Sequence, residues 1–145
     1  MNHSQHYLAL ANMYKAAPIN AFYPPTISID EGATEIELAV KPEYFHTAGA
    51  MHGSVYFKML DDAAFFAVNS LEFDVFVLTT SFTTYITRPI SSGNVRAVGR
   101  VVNRNSSQFI AEAVLYDDNN REIARGNGIF VRSRIKLAAI PDYCC

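Results

Sequence analysis

The chain has 145 residues, half of them apolar and 18% charged, and its 12 Lys and Arg against 14 Asp and Glu leave a formal charge of -2. That length supports one core burying roughly 70% of the unfolded surface, while the near-neutral balance gives no electrostatic reason to expect a nucleic-acid partner. No apolar run approaches the roughly 20 residues of a bilayer crossing, and the start, Met1 to His6, lacks the cationic and apolar pattern of a leader, so the expectation is a cytoplasmic protein without a membrane partner.

In chain order, His3 to Lys15 carries Tyr7, Leu10, Ala11 and Tyr14 at helical spacing, with Ser4 as the expected cap and Pro18 as the stop. This short helix, residues 1–17, is expected to cover one edge or end of a sheet, because its polar side has almost no Lys or Arg with which to meet a membrane. After Pro24-Pro25, Ile27 to Val40 reads as one half-buried strand, with Ile36, Leu38 and Val40 on one face and Glu35 and Glu37 on the other. Gly53 to Ser70 follows as a long helix. Four more strands are expected around 75–88, 94–104, 107–117 and 121–133, separated by the turn-forming Ser91-Ser92-Gly93-Asn94, Asn103 to Ser107 and Asp117 to Asn120. Such short connections predict antiparallel hairpins. Arg96, Arg100 and Arg104 share one strand face and read as a solvated surface whose charges discourage edge pairing, although a phosphate group would also suit them. The last segment, 134–145, is a tail ending in Cys144 and Cys145, which can neither staple a fold nor complete a zinc site, so no metal is expected. The whole, 1–145, is one α+β domain with its antiparallel sheet wrapped on one long central helix.

On a wheel at 100° per residue, Lys58, Asp62 and Asn69 fall within about 40° of one another as a narrow wet stripe, Lys58 and Asp62 being spaced as an i,i+4 ion pair. Most of the remaining arc is apolar, and Asp61 falls inside it between Phe65 and Val68. A carboxylate there must find partners or take up a proton. A boundary residue reaching water, or one bonded to backbone N–H groups, would satisfy the same pattern.

The stretch His46-Thr-Ala-Gly-Ala-Met-His-Gly-Ser54, with Asp61 nine residues beyond His52, resembles the hotdog-fold acyl-CoA thioesterases of the phenylacetate-degradation type, whose pattern runs N-x-x-G-x-x-H-G-G and then an aspartate nine residues past the histidine. Gly49, His52, Gly53 and Asp61 match in register. The likeness runs on through Asn69, Thr79, Arg88-Pro89, Gly93, Asp117 and Ala124, over roughly residues 35–132. Independently of the family, Gly53 opens a buried helix whose unpaired N–H groups and dipole suit an oxyanion, and Asp61 is the only carboxylate on the buried arc. Eight residues separate them, about 12 Å along the axis. One chain therefore cannot bring both to one carbon, and a two-fold dimer with antiparallel helices would.

The resemblance implies hydrolysis of an acyl-CoA to free acid and CoA, with no cofactor other than coenzyme A as part of the substrate, and a site shared across a dimer or a dimer of dimers. It makes Asp61 the general base or nucleophile, Gly53 the N–H donor to the thioester oxygen, and Thr79 the orienter of water. His46 stands where the family has asparagine; it can still donate to the carbonyl but is larger. His52 and Ser54 stand at the helix entrance as substrate-binding candidates, the alternative being that His52 fixes the turn and Ser54 caps the helix, while Phe57, Phe65 and Phe82, with Phe66 and Tyr85, are candidates for lining an acyl pocket or for plain core. Three other readings compete. A dehydratase or hydratase would pair an acid and a base on the helix, yet no histidine follows Asp61. A non-catalytic acyl-CoA-binding hotdog protein would keep the pocket, with His46 favouring it, and a purely structural oligomer would make Asp61 a boundary residue.

Overall fold

The computed structural model describes residues 1–144; Cys145, one of the two cysteines read above, lies outside the described residues. Helix α1 spans His3–Ala16. Its cap is Asn2 and not Ser4: the Asn2 side chain accepts from the Gln5 N–H at 2.8 Å and Gln5 returns the bond to the Asn2 N–H at 2.9 Å, a reciprocal i,i+3 arrangement that leaves Ser4 inside the first turn. A 3₁₀ turn, Pro18–Ala21, follows at the expected proline stop.

The segment read as one strand from Ile27 to Val40 is a hairpin, β1 (Thr26–Asp30) and β2 (Ala33–Ala39), paired Ile27 to Ile36. Gly32 turns the chain at φ +65°, a conformation open to glycine. Helix α2 spans Gly53–Asn69, and β3 (Val75–Ile86), β4 (Asn94–Arg104), β5 (Phe109–Tyr116) and β6 (Glu122–Lys136) follow. Strand β6 runs three residues into the expected tail, whose remainder forms a turn at Leu137–Ala139 with Leu137 buried.

All six strands pair antiparallel in the order β1-β2-β4-β5-β6-β3. The Ser91 to Asn94 connection is therefore not a hairpin turn: it carries the chain from the edge strand β3 across to β4 in the middle, and β3 pairs with β6 instead. Along β5, Phe109, Ala111, Ala113 and Leu115 turn inward while Ile110, Glu112, Val114 and Tyr116 turn outward, the alternation of a sheet with one covered face. What covers it is α2, through Met59, Leu60, Ala63, Ala64 and Ala67, all at most 1% exposed. Small residues allow close approach: a Cβ on Gly99 of β4 would meet the Ala63 carbonyl oxygen at 2.2 Å.

Asn69 does not belong to a wet stripe. It is fully buried, accepting from the Val77 N–H at 3.0 Å and donating to the Val75 carbonyl at 3.2 Å, so it ties the end of α2 to the start of β3. Helix α1 is fastened to the same place, with the buried His6 donating through Nε2 to the Asn69 carbonyl at 2.8 Å and lying 2.5 Å through Nδ1 from the Tyr143 hydroxyl. No helix among the described residues is long and apolar enough to cross a membrane.

Candidate active site

Helix α2 runs antiparallel beside β3, and residues four apart on the helix meet successive positions of the strand. Gly53 approaches Ile86, Phe57 meets Phe82 edge-on with ring centroids 5.7 Å apart, Asp61 meets Thr79, and Phe65 meets Phe76 at 5.0 Å. The strand can present both Thr79 and Phe82 to the helix because its register with β6 shifts between Thr79 and Ser81. The additional residue, Thr80, offsets the alternation by one, as a β-bulge does, so that Thr79 and Phe82, three apart, face the same side.

The Thr79 hydroxyl donates to Asp61 Oδ1 at 2.9 Å. Burial pushes the Asp61 carboxyl up to about 6; the Thr79 bond pulls it down, the neighbouring Asp62 charge pushes it up, and Lys58 pulls it down. Asp62 differs, since it is held by Lys58 Nζ at 2.6 Å and by the Tyr14 hydroxyl at 2.7 Å. This pair is not the solvated surface that the wheel suggests: both side chains are only partly exposed, because α1 and its 3₁₀ turn pack over them. Burial and the Asp62 carboxylate hold the Tyr14 hydroxyl protonated.

Asp61 opens into a cavity of about 620 Å³, within the range of small-molecule sites. Ser54, Phe57, Phe65, Phe66 and Thr79, all singled out in the sequence, line it, together with Phe76 and Leu78. Phe82 does not: its ring is laid across Gly126 and Gly128 of β6, where a Cβ on either would come within 2.6 Å of it, so its face is spent on the sheet. Tyr85 is exposed on β3, away from the cavity lining.

Gly53, His46 and His52 also lie outside the lining of this one chain. His52 is the N-cap of α2, its Nδ1 accepting from the Ser54 N–H at 3.0 Å. The Gly53 N–H is accepted by no group among the described residues. His46 is exposed in the turn that precedes the helix, where its Nδ1 accepts from the Ala48 N–H at 3.1 Å. Arg96 and Arg100 sit on the opposite face of the sheet, paired to Glu35 and Glu112 at 3.4 and 2.8 Å. Among the described residues no group of three or more His, Cys, Asp or Glu could hold a metal ion.

What the sequence reading missed is the far wall, Met13, Tyr14, Ala17, Ile19, Asn20 and Tyr23. Tyr14 does fall on the apolar stripe of α1, but helical spacing says only that a face is covered, not what it covers.

Residues 48–124 match the family model of the thioesterase superfamily. A Mycobacterium tuberculosis protein named as an esterase, Rv1847, is 30% identical over 121 residues, covering 76% of this chain and 86% of that protein. Its solved structure superposes with a TM-score of 0.76 at 23% identity, over 81% of this chain and 97% of its own. The Escherichia coli PaaI protein, from the phenylacetic acid degradation operon, superposes with a TM-score of 0.81 at 19% identity, over 91% of this chain and 98% of its own.

Proposed function

The chain belongs to the thioesterase superfamily, with the hotdog fold, and is a thioester hydrolase; from this we propose that it cleaves an acyl-CoA to the free acid and CoA in the cytoplasm, with Asp61 as general base or nucleophile. The observation that carries the reading is the Asp61 carboxylate itself. Burial has raised it towards the working range of a base, Thr79 hydrogen-bonds it, and it faces an apolar cavity of the size an acyl group needs. As a base, Asp61 takes a proton from a water held by Thr79, the water oxygen adds to the thioester carbon, and collapse of the adduct expels the CoA thiolate, which the Asp61 carboxyl reprotonates. As a nucleophile it forms an anhydride that water opens. Coenzyme A is the leaving half of the substrate in either route, and no separate cofactor takes part.

The carbonyl oxygen needs a donor, and the free Gly53 N–H at the head of α2 suits it, but on the same chain that group stands about 12 Å from Asp61 along the helix axis. Gly53, Phe57 and Asp61 share the helical stripe that faces β3, and β3 pairs only with β6 among the described strands. Leu78, Tyr85 and Ile86 on β3 and Phe57 beside it are all more than 40% exposed. In our reading a second copy pairs along this edge about a two-fold axis near Ser81, which sets each Asp61 opposite the other chain's Gly53 and brings His46 and His52 to the mouth of the site.

Thiol release from a panel of short, long, branched and aromatic acyl-CoAs tests the assignment. Asp61→Asn is expected to lower turnover at least ~100-fold, as loss of a general base does. A near-native rate in that variant would remove Asp61 from the chemistry.

A further inference from the structure

The cavity has two origins along the chain. Asp61 and the residues around it, Ser54, Phe57, Phe65 and Thr79, fall within the 48–124 segment that matches the family model, whereas Met13, Tyr14, Ala17, Ile19, Asn20 and Tyr23 fall outside it. The second group belongs to α1, its 3₁₀ turn and the residues just after, so the wall facing the base is built by a part of the chain separate from the part that carries the base.

That wall is held by its own polar contacts. Lys58 Nζ donates to Asp62 Oδ2 at 2.6 Å and to Asn20 Oδ1 at 2.7 Å, Asn20 Nδ2 donates to the Tyr14 carbonyl at 2.7 Å, and the Tyr14 hydroxyl donates to Asp62 at 2.7 Å. Lys58 Nζ also stands 5.2 Å from the ring centroids of both Tyr14 and Tyr23. The ammonium and the amide thus bond to other members of the cluster, which suits them to fixing α1 against α2 rather than to greeting a ligand. The groups left to meet a substrate from this side are apolar: Met13, Ala17 and Ile19, across from Phe57, Phe65 and Leu78.

Resting on the reading that Asp61 attacks a thioester at this cavity, we propose that Met13, Ala17 and Ile19 are the acyl-selectivity wall of the enzyme and that Tyr14, Asn20, Lys58 and Asp62 are the positioning residues that hold it. The thioester end lies at Asp61 and Thr79, and the acyl chain runs between α1 and β3. The volume of side chain at positions 17 and 19 then sets how long or broad an acyl group is accepted.

The test measures kcat/KM for a homologous series of saturated acyl-CoAs, acetyl to palmitoyl, with the native chain, Ile19→Ala, Ala17→Phe and Tyr14→Phe. Ile19 is 60% exposed and Ala17 partly so, so both substitutions spare the core. Ile19→Ala is expected to raise the ratio of long- to short-chain kcat/KM about tenfold and Ala17→Phe to lower it by a similar factor, the discrimination a few methylene contacts supply in an apolar pocket. Tyr14→Phe is expected to flatten the profile through KM more than through kcat. Profiles that superpose on the native one, in variants with native circular dichroism, would overturn the proposal. If the native chain releases no thiol from any member, the same variants are compared by their affinity for non-hydrolysable acyl-CoA thioethers of graded length. A shifted order of affinity there sustains the wall while the hydrolytic reading falls, and an unshifted order overturns the wall as well.

Discussion

Asp61 is poised by loss of water more than by any partner, and this gives it a signature in both rate and stability. Its folded value of about 6 lies above the ordinary 3.8, so as pH rises between the two the unfolded chain gives up its proton first and the native state loses stability. The loss is complete only about one unit above the folded value and disappears about one unit below the unfolded one, near pH 3. Asp61→Asn removes the ionisation while leaving an oxygen to accept the Thr79 bond, so it is expected to unfold at higher denaturant than the native chain at pH 8, by ~2 kcal/mol, and to show almost no gain at pH 3. In the native enzyme kcat/KM is expected to fall on the acid side with a midpoint near pH 6, when the base takes up a proton. A stable variant that turns over slowly would separate a functional carboxylate from a structural one, a distinction the helical wheel leaves open. The wheel does place Asp61 in an apolar surround. It cannot show Thr79 beside it, because that contact depends on a bulge in β3, nor can it show that Asn69 leaves its polar stripe to bind the backbone of the same strand.

Among the elements, α2 is the one on which the others are registered, and its seat on the sheet is narrow. Gly99→Val is expected to destabilise the chain by about 3 kcal/mol, because the Ala63 and Ala64 backbone stands where the new side chain would go and an over-packed helix–sheet contact relieves itself only by moving the helix. Urea unfolding measures it, and unchanged stability would mean that the helix sits further from β4. Helix α2 and the last four strands are legible in the sequence from periodicity and turn residues, to within a few residues. The β1–β2 hairpin is less so, yet its sign is present. The apolar positions are odd-numbered through Ile27 and Ile29 and even-numbered through Ile36, Leu38 and Val40, and the change of phase at Glu31-Gly32 marks the turn. Which strands pair is not legible in the same way. The short link before β4 has the composition of a hairpin turn, and only the closure of β3 against β6 shows that it crosses the sheet.

At the scale of the whole molecule, the reading of a shared site predicts complementation. Gly53→Pro removes the N–H from the first helical position, where proline is well tolerated, and Asp61→Asn removes the base. Each alone is expected to be nearly inactive. Mixed and allowed to exchange subunits, they form heterodimers that each hold one site with an intact Asp61 opposite an intact Gly53. With half the dimers mixed, about a quarter of native activity should return. No recovery after exchange, shown by mass spectrometry to be complete, would place both groups in one chain's site. The sequence carries this expectation further than it carries the pocket, because a distance along a helix axis follows from residue count alone, whereas the wall contributed by α1 follows from tertiary packing.

The open side of β3 also bears on the behaviour of the protein in solution. A twelve-residue edge with Leu78, Tyr85 and Ile86 beside it is costly to leave in water and is a template for any extended chain that meets it. If a second copy covers it, part of the stability of the native state comes from mass action. Dilution would then lower the melting temperature as well as the rate, and a newly made chain would be most exposed to aggregation between finishing its own sheet and meeting its twin.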